Sequence, residues 1–337
     1  MKKAMNMYDN DTVKWENDGK LYCLHVQCDE DPPNPRRDWD NPITVMACWH
    51  RRYRLGDNIE DKDPESFWQR LVRENLSEKE IMAAAKAGKL TGIRVAKCRG
   101  KDKKGLVNIY ETCQWQSPIG DGEPKECLEY EEVSEDTAVY YLLDDLTVGH
   151  CLTLMEPYAE WMPIWLYDHS GITISCGTRH GQFNDRWDSG QVGWIVVLKK
   201  TIIKECGAEY VLDNAGERIK VEHPHENGPS TWSYLTRPLT DKTWRSRAME
   251  IMKGDVEVYD QYLTGDVYGF TLYSADPVDE DETPDWAMED SCWGFFGSDV
   301  LENGIVDHVG NGLSEAVENG MIIAGEAELH TCTYYTF

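Results

Sequence analysis

The chain has 337 residues, 41% of them hydrophobic and including 13 Trp and 17 Tyr, and its formal net charge is −27. This aromatic content excludes a wholly disordered chain, because disordered chains lack the apolar surface that offsets the entropy cost of ordering. No apolar run reaches the roughly 18 residues that a membrane-spanning helix needs, and the polar amino-terminal segment has no signal-peptide core, so we expect a cytoplasmic protein without membrane contacts.

The first third of the chain predicts strands, a long loop and two capped helices. Residues 21–26 and 43–49 have strand-like patterns and are separated by a loop rich in Pro and Asp. Asp63 followed by Pro64 is typical of a helix N-cap with Pro at the first helical position. Ser77 with Glu80 three residues later indicates the start of a second helix.

Further elements follow along the chain. Residues 89–104 hold seven bases and one acid and predict an exposed β-hairpin with a polar tip. A long helical pattern runs from Thr240 to Leu263 and ends at Gly265. Further strands are expected at 165–167, 172–176, 192–198, 267–274 and 292–296.

Helices and strands are mixed without a regular strand–helix–strand rhythm. The pattern predicts an α+β fold with a mainly antiparallel sheet, flanking helices and a helical and hairpin insertion. We expect residues 1–60 plus 141–337 to form the main domain. Residues 61–140 are predicted to form an inserted helix–helix–hairpin subdomain.

The negative charge is concentrated near the carboxyl end. Residues 254–337 contain 19 acids and no Lys or Arg. An ordinary solvated face mixes charges of both signs, whereas a purely negative field repels phosphate backbones and attracts basic surfaces. We therefore expect this region to bind a basic protein rather than nucleic acid directly.

The densest acidic stretch, residues 276–290, contains two prolines and predicts an exposed loop between strands. Trp286 and Trp293 are candidate aromatic anchors for a partner. The candidate partner-binding carboxylates are Asp276, Asp279, Glu280, Asp281, Glu282, Asp285, Glu289 and Asp290.

Two segments rich in polar, glycine and aromatic residues could carry acid–base chemistry. Their candidate catalytic residues are His50, Asp57, Asp168, His169 and Asp188. Asp168, His169 and Ser170 cannot form a triad by adjacency, because consecutive strand residues point to opposite faces. Buried or turn-forming hydrogen-bond anchors use the same residue types, so a structural role is the favoured interpretation.

Metal and cofactor sites have weak sequence support. His223-Pro-His225 has no third ligand at a suitable spacing, and we expect it in an exposed loop. The usual nucleotide-binding and hydrolase motifs are missing from the sequence. The 11 cysteines form an odd set without a CxxC pair, which is typical of a reducing compartment. We predict no metal and no cofactor.

Outside residues 61–140 the chain resembles a protein family encoded by bacteriophages and integrative mobile elements of bacteria. The resemblance lies in the motifs CWHRRYRLGD, YDHSGI, WDSGQVG and YDQYLTGDVYG. The family has no established activity, so the resemblance assigns no catalytic residues. It implies an accessory protein that acts inside the host bacterial cell, where such proteins often counter CRISPR, restriction or other nuclease defences.

These observations lead to three hypotheses. The first is an inhibitor that binds a basic nuclease or other nucleic-acid-handling host protein through an acidic surface that mimics nucleic acid. The second is a small-molecule or nucleotide hydrolase with a His/Asp site. The third is a structural or assembly protein of the virion, which a homo-oligomer would favour.

Overall fold

A computed structural model describes residues 11–40, 42–99, 102–115, 125–177, 183, 187–211, 213–225, 228–240, 243–279, 282–318 and 323–324. The helices are α1 (Pro64–Asn75), α2 (Glu78–Lys86), α3 (Glu135–Asp144), α4 (Val148–Met155), α5 (Lys199–Cys206), α6 (Trp244–Thr264), α7 (Ile305–Val309) and α8 (Leu313–Glu318). The amino-terminal strands are β1 (Asp11–Asn17), β2 (Lys20–Cys28), β3 (Val45–Cys48), β4 (Ile93–Lys97), β5 (Leu106–Trp115), β6 (Lys125–Ser134), β7 (Ala159–Asp168) and β8 (Ile172–Cys176). The later strands are β9 (Ser189–Leu198), β10 (Ala208–Tyr210), β11 (Lys220–His225), β12 (Gly228–Tyr234), β13 (Thr236–Pro238), β14 (Val267–Ala275), β15 (Ala287–Phe296) and β16 (Ile323–Ala324).

The chain divides into two compact units, each assembled from separate stretches of sequence. Unit 1 comprises residues 1–42, 164–191 and 253–337, and unit 2 comprises residues 43–163 and 192–252. Strands β7 and β9 and helix α6 each begin in one unit and end in the other. The polypeptide therefore crosses between the units within regular elements as well as in loops.

A five-stranded antiparallel sheet forms the main layer of unit 1. Its strand order is β15-β14-β2-β1-β16. Leu24 of β2 pairs with Val13 of β1 on one side and with Leu272 of β14 on the other, so the apolar side chains of adjacent strands share one face. That face packs with α7 and α8 around a buried apolar core.

The part of α6 in unit 1 is fixed by polar contacts. Asp260 accepts hydrogen bonds from the hydroxyl of Thr173 and from the backbone N–H of Ile174, both at 2.7 Å, and so anchors β8. Arg36, whose side chain is 3% exposed, donates to Asp255 across 3.1 Å. These two contacts tie the helix to β8 and to the loop after β2.

Helix α1 of unit 2 begins as its sequence predicts. The Asp63 carboxylate accepts from the N–H of Ser66 at 2.8 Å, the Ser66 hydroxyl lies 3.3 Å from the N–H of Asp63, and Pro64 occupies the first turn. This reciprocal capping satisfies backbone donors that the helix itself cannot pair. The buried face of the helix consists of Phe67, Trp68, Leu71 and Val72.

Aromatic side chains fill the centre of the unit 2 core. The ring of Trp68 meets those of Trp161 and Trp194 edge to face, at centroid distances of 5.6 and 6.3 Å. Residues 61–140 supply α1, α2, the sheet β4-β5-β6 and most of α3. Their buried side chains share one core with Ala47 and Val196, so these elements are folded against the rest of unit 2.

The structure confirms the α+β fold with antiparallel sheets, since the described strand pairs are antiparallel. Among the described residues, no helix combines the length and apolar character needed to cross a membrane. One local prediction is wrong, because His223 and His225 lie on β11 rather than in a loop. The register shifts between these two residues, and such a bulge accommodates Pro224, which cannot donate to a regular ladder.

Candidate functional site

The two units differ greatly in charge. Unit 1 contains 31 acidic and 9 basic residues, whereas unit 2 contains 30 acidic and 25 basic residues. Unit 1 therefore carries −22 of the net −27. The electrostatic field of this net negative charge extends beyond individual side chains and favours contact with a positively charged surface.

The connection between β14 and β15 carries exposed carboxylates, and we call residues 276–285 the acidic loop. Asp276, Asp279, Glu282 and Asp285 are all exposed. Among the described residues, no Lys or Arg forms an ion pair with any of these four. The predicted candidates Glu280 and Asp281 lie outside the described residues.

The local sequence explains why this segment leaves the sheet. Pro277 and Pro284 have no N–H to donate to a strand ladder. The N–H of Glu282 donates to the carbonyl of Asp279 at 2.9 Å, which closes a turn within the loop. The predicted loop is shorter than expected, because residues 287–290 already belong to β15.

Two of the predicted partner-binding carboxylates have partners inside unit 1. Glu289 accepts a hydrogen bond from the hydroxyl of the buried Ser274. Asp290 accepts from the N–H of Ser291 at 2.8 Å, and its second oxygen lies 3.7 Å from Nε2 of His308. These contacts give both side chains a structural role in addition to their charge.

The predicted aromatic anchors differ in exposure. Trp286 is half-buried, and the ammonium group of Lys14 lies 5.7 Å from its ring centroid. Trp293 on β15 is 48% exposed, and Met288 on the same strand is 64% exposed. Met288 was not among the predicted anchors, and its position beside Trp286 and Ala287 was the available sequence signal.

The structure brings part of the candidate catalytic set together. Nδ1 of His169 lies 3.0 Å from Oδ2 of Asp188, and the N–H of Asp168 donates to the carbonyl of Asp188 at 2.8 Å. Ser170 has a φ of +60°, so the turn places it in the left-handed region. With its Nδ1–H bound to the carboxylate, the His169 ring would present Nε2 as a proton acceptor.

The remaining two candidates belong to unit 2 and stabilise local structure there. Nδ1 of His50 lies 3.4 and 3.3 Å from the backbone nitrogens of Arg52 and Tyr53, and the His50 ring stacks on Tyr53 at 5.0 Å. The Asp57 carboxylate accepts from the N–H of Met46 at 2.9 Å. Both side chains thus anchor the chain around β3.

The described residues give little support for other chemistry. None of their His, Cys, Asp and Glu side chains form a group of three or more that could hold a metal ion. Eight of the cysteines are reduced thiols: Cys23, Cys28, Cys48, Cys98, Cys151, Cys176, Cys206 and Cys292. Burial raises the pKa of the Cys151 thiol to about 12, which disfavours the nucleophilic thiolate.

Comparison of the chain with protein-family models, with curated proteins and with solved structures found no match in any of the three.

Proposed function

We propose that unit 1 is a binding module that docks its acidic loop on the basic surface of a nucleic-acid-binding protein and so prevents nucleic acid from binding there. The observation that carries this proposal is the exposure of Asp276, Asp279, Glu282 and Asp285 without a Lys or Arg counter-charge among the described residues. A basic groove that binds phosphates offers the matching charges.

The physical argument concerns encounter and competition. Carboxylates that are not neutralised locally keep a field that extends over the Debye length, about 8 Å at physiological salt. This field accelerates the approach of a cationic protein and orients it before contact. Carboxylates that occupy the positions of phosphates then exclude the nucleic acid from the same groove.

We further propose a setting for this activity, which is the one implied by the expected resemblance to proteins of bacteriophages and mobile elements. In that setting the protein acts in the cytoplasm of a host bacterium and inhibits a defence nuclease of the CRISPR or restriction type. The acidic loop is the feature that such an inhibitor would use, because defence nucleases must present basic surfaces to their nucleic acids.

The test starts from a variant in which four charges are removed, Asp276→Asn, Asp279→Asn, Glu282→Gln and Asp285→Asn. The parent and the variant are used to capture proteins from a bacterial lysate at about 0.1 M and about 1 M salt, where the Debye length is about 10 Å and about 3 Å. Each captured protein is purified, and its binding to labelled DNA or RNA is titrated with the parent protein. We expect displacement of the nucleic acid, and affinity for the variant weaker by about tenfold or more.

The matched control removes four exposed charges from unit 2, Glu60→Gln, Glu78→Gln, Asp102→Asn and Glu131→Gln. It changes the net charge by the same amount, so retained affinity in this control would locate the effect in the acidic loop. An equal loss of affinity in both variants would show that net charge, rather than the acidic loop, determines binding. Binding by the loop variant that matches the parent at both salt concentrations would contradict the proposal.

The His169–Asp188 pair favours a second candidate function, general-base hydrolysis. An imidazole oriented by a carboxylate at 3.0 Å is the arrangement that a general base uses. The test compares the parent with His169→Gln and Asp188→Asn on chromogenic phosphate and carboxylate esters. Turnover by the parent that both variants lose would support catalysis, and equal rates in all three proteins would exclude it for these ester classes.

A further inference from the structure

Strand β15 is an edge of the five-stranded sheet of unit 1. It pairs with β14 on one side, and no strand of the described residues pairs with its other side. The strand is ten residues long, and most of its side chains from Ala287 to Trp293 are exposed. A long exposed edge presents unpaired backbone N–H and C=O groups that can accept another strand.

The side chains of β15 combine apolar contacts with negative charge. Met288 is 64% exposed and Trp293 is 48% exposed, and between them lie the carboxylates of Glu289 and Asp290. Only Trp286 separates the acidic loop from this strand. An added strand would therefore meet two apolar anchors and a run of carboxylates along one edge.

The indole of Trp293 is held in place by its partner strand. Trp293 pairs with Gly269 of β14, and a Cβ at position 269 would lie 2.1 Å from the indole ring. The ring thus lies on the glycine backbone while almost half of its surface stays exposed. An anchor fixed in this way loses little conformational entropy when a partner packs on it.

We propose that the basic partner of unit 1 adds an extended, Lys- or Arg-rich segment to β15 as a sixth strand. This inference rests on the proposed function and specifies how the partner binds. Backbone hydrogen bonds would supply affinity, the carboxylates would select a cationic strand, and Met288 and Trp293 would contact its apolar side chains.

Charge determines which strand this edge accepts. A second copy of the same strand would place its Glu289 and Asp290 close to their counterparts, and like charges on adjacent strands are destabilising. The acidic residues thus protect the edge from self-association. They do not oppose a strand that carries Lys or Arg at alternate positions, which is the occupant we assign.

The probe is the peptide acetyl-Lys-Val-Lys-Val-Lys-Val-Lys-amide, titrated into the full-length protein at low ionic strength. The matched control peptide has the same sequence with N-methyl groups on two adjacent central residues, which block both hydrogen-bonding edges and leave charge and side chains unchanged. The first readout is the affinity of each peptide. The second is the hydrogen exchange of individual amides in β15, followed by NMR.

We expect the control peptide to bind about tenfold more weakly or worse, because it cannot form the central pairing hydrogen bonds. Bound, unmodified peptide should increase the protection of those amides between Asp290 and Trp293 that do not pair with β14, because the register of the two strands is regular over these residues. Met288→Ala should weaken binding of the unmodified peptide several-fold without changing protein stability, because this side chain is mostly exposed.

Each other outcome overturns the inference in a distinguishable way. Equal binding of both peptides, without new protection in β15, would exclude strand addition and leave the acidic surface as the binding site. Tighter binding of the unmodified peptide with protection confined to other strands would place strand addition elsewhere and reject β15. Failure of both peptides to bind would reject strand addition alone, because docking of the acidic loop on a folded basic surface is tested separately by the loop variant and by displacement of nucleic acid.

Discussion

The indole ring of Trp293 covers the backbone of Gly269, its cross-strand partner, so closely that any side chain at position 269 must displace it. We predict that Gly269→Ala lowers the free energy of unfolding by about 1–3 kcal/mol, the usual cost of overpacking. Urea denaturation followed by Trp fluorescence measures the change. The same variant should alter the fluorescence of the native state, because the ring has to move.

Gly190→Ala is the matched control for this substitution. Gly190 also lies in a strand of unit 1, and a Cβ built there meets no atom within 4 Å. Its stability should therefore change by less than about 0.5 kcal/mol. If both substitutions instead raised the free energy of unfolding by the same amount, loss of backbone freedom in the unfolded state, rather than the contact with Trp293, would determine the result.

Arg36 is a charged side chain buried in unit 1, and its contact with Asp255 provides a second prediction. The side chain of Arg36 is 3% exposed, that of Asp255 is 30% exposed, and the two groups lie 3.1 Å apart. Asp255→Ala removes a carboxylate from a guanidinium that has lost its hydration. We expect a destabilisation of about 2–4 kcal/mol in urea denaturation, somewhat below the cost for a fully buried pair.

The double variant Arg36→Met with Asp255→Ala separates the charge effect from lost packing. It removes the buried cation as well as its partner, so it should be more stable than Asp255→Ala alone. A double variant that is less stable than Asp255→Ala would show that the packing of the Arg36 side chain, rather than its charge, is the main contribution.

Several elements could be predicted from the sequence because their signals are local. Asp63, Pro64 and Ser66 start helix α1 through contacts within four residues, and Ser77 and Glu80 do the same for α2. The acidic loop was also predictable, since its prolines and exposed carboxylates act through backbone geometry and charge alone.

Other features depend on residues distant in the sequence. The first residues of β15, Ala287 to Asp290, are all exposed, so they do not alternate between buried and exposed side chains. The sequence of this part of the edge strand is therefore hard to distinguish from that of the acidic loop. The contact between His169 and Asp188 joins residues 19 positions apart. The two units interleave five stretches of chain, and no local pattern marks where one unit gives way to the other.

The Cys151 thiol supports a prediction about reactivity. Its burial raises its pKa to about 12, so thiolate is scarce at pH 8. We expect iodoacetamide to leave Cys151 unmodified in the native protein and to modify the half-buried Cys292 and Cys206. Peptide mass spectrometry measures the modification, and the urea-unfolded protein, in which all three should react, is the control. Rapid native labelling of Cys151 would show that this part of unit 2 opens readily.

Glu80 links the start of α2 to Tyr158, in the turn before β7 of unit 2, and predicts a dependence of stability on pH. One carboxylate oxygen accepts from the N–H and the hydroxyl of Ser77 at 2.8 and 2.6 Å, and the other accepts from the hydroxyl of Tyr158 at 2.6 Å. These bonds, with that from the Ser77 hydroxyl contributing most, lower the pKa of Glu80 from 4.5 to about 2. A carboxyl group whose pKa is lower in the folded state stabilises the fold above its unfolded pKa, and this contribution disappears as the pH falls through the folded value.

Glu80→Gln should therefore be less stable than the parent at pH 7, and the difference should shrink between about pH 4.5 and about pH 2. Urea midpoints at pH 7, 4 and 2.5 measure it. Tyr158→Phe should show the same trend with a smaller amplitude, because it removes only one of the bonds to the carboxylate. Glu78→Gln is the matched control, because it removes an exposed carboxylate from the same helix turn and leaves the bonds of Glu80 to Ser77 and Tyr158 intact. A difference between Glu80→Gln and the parent that is constant from pH 7 to pH 2.5 would mean that these hydrogen bonds do not favour the ionised form.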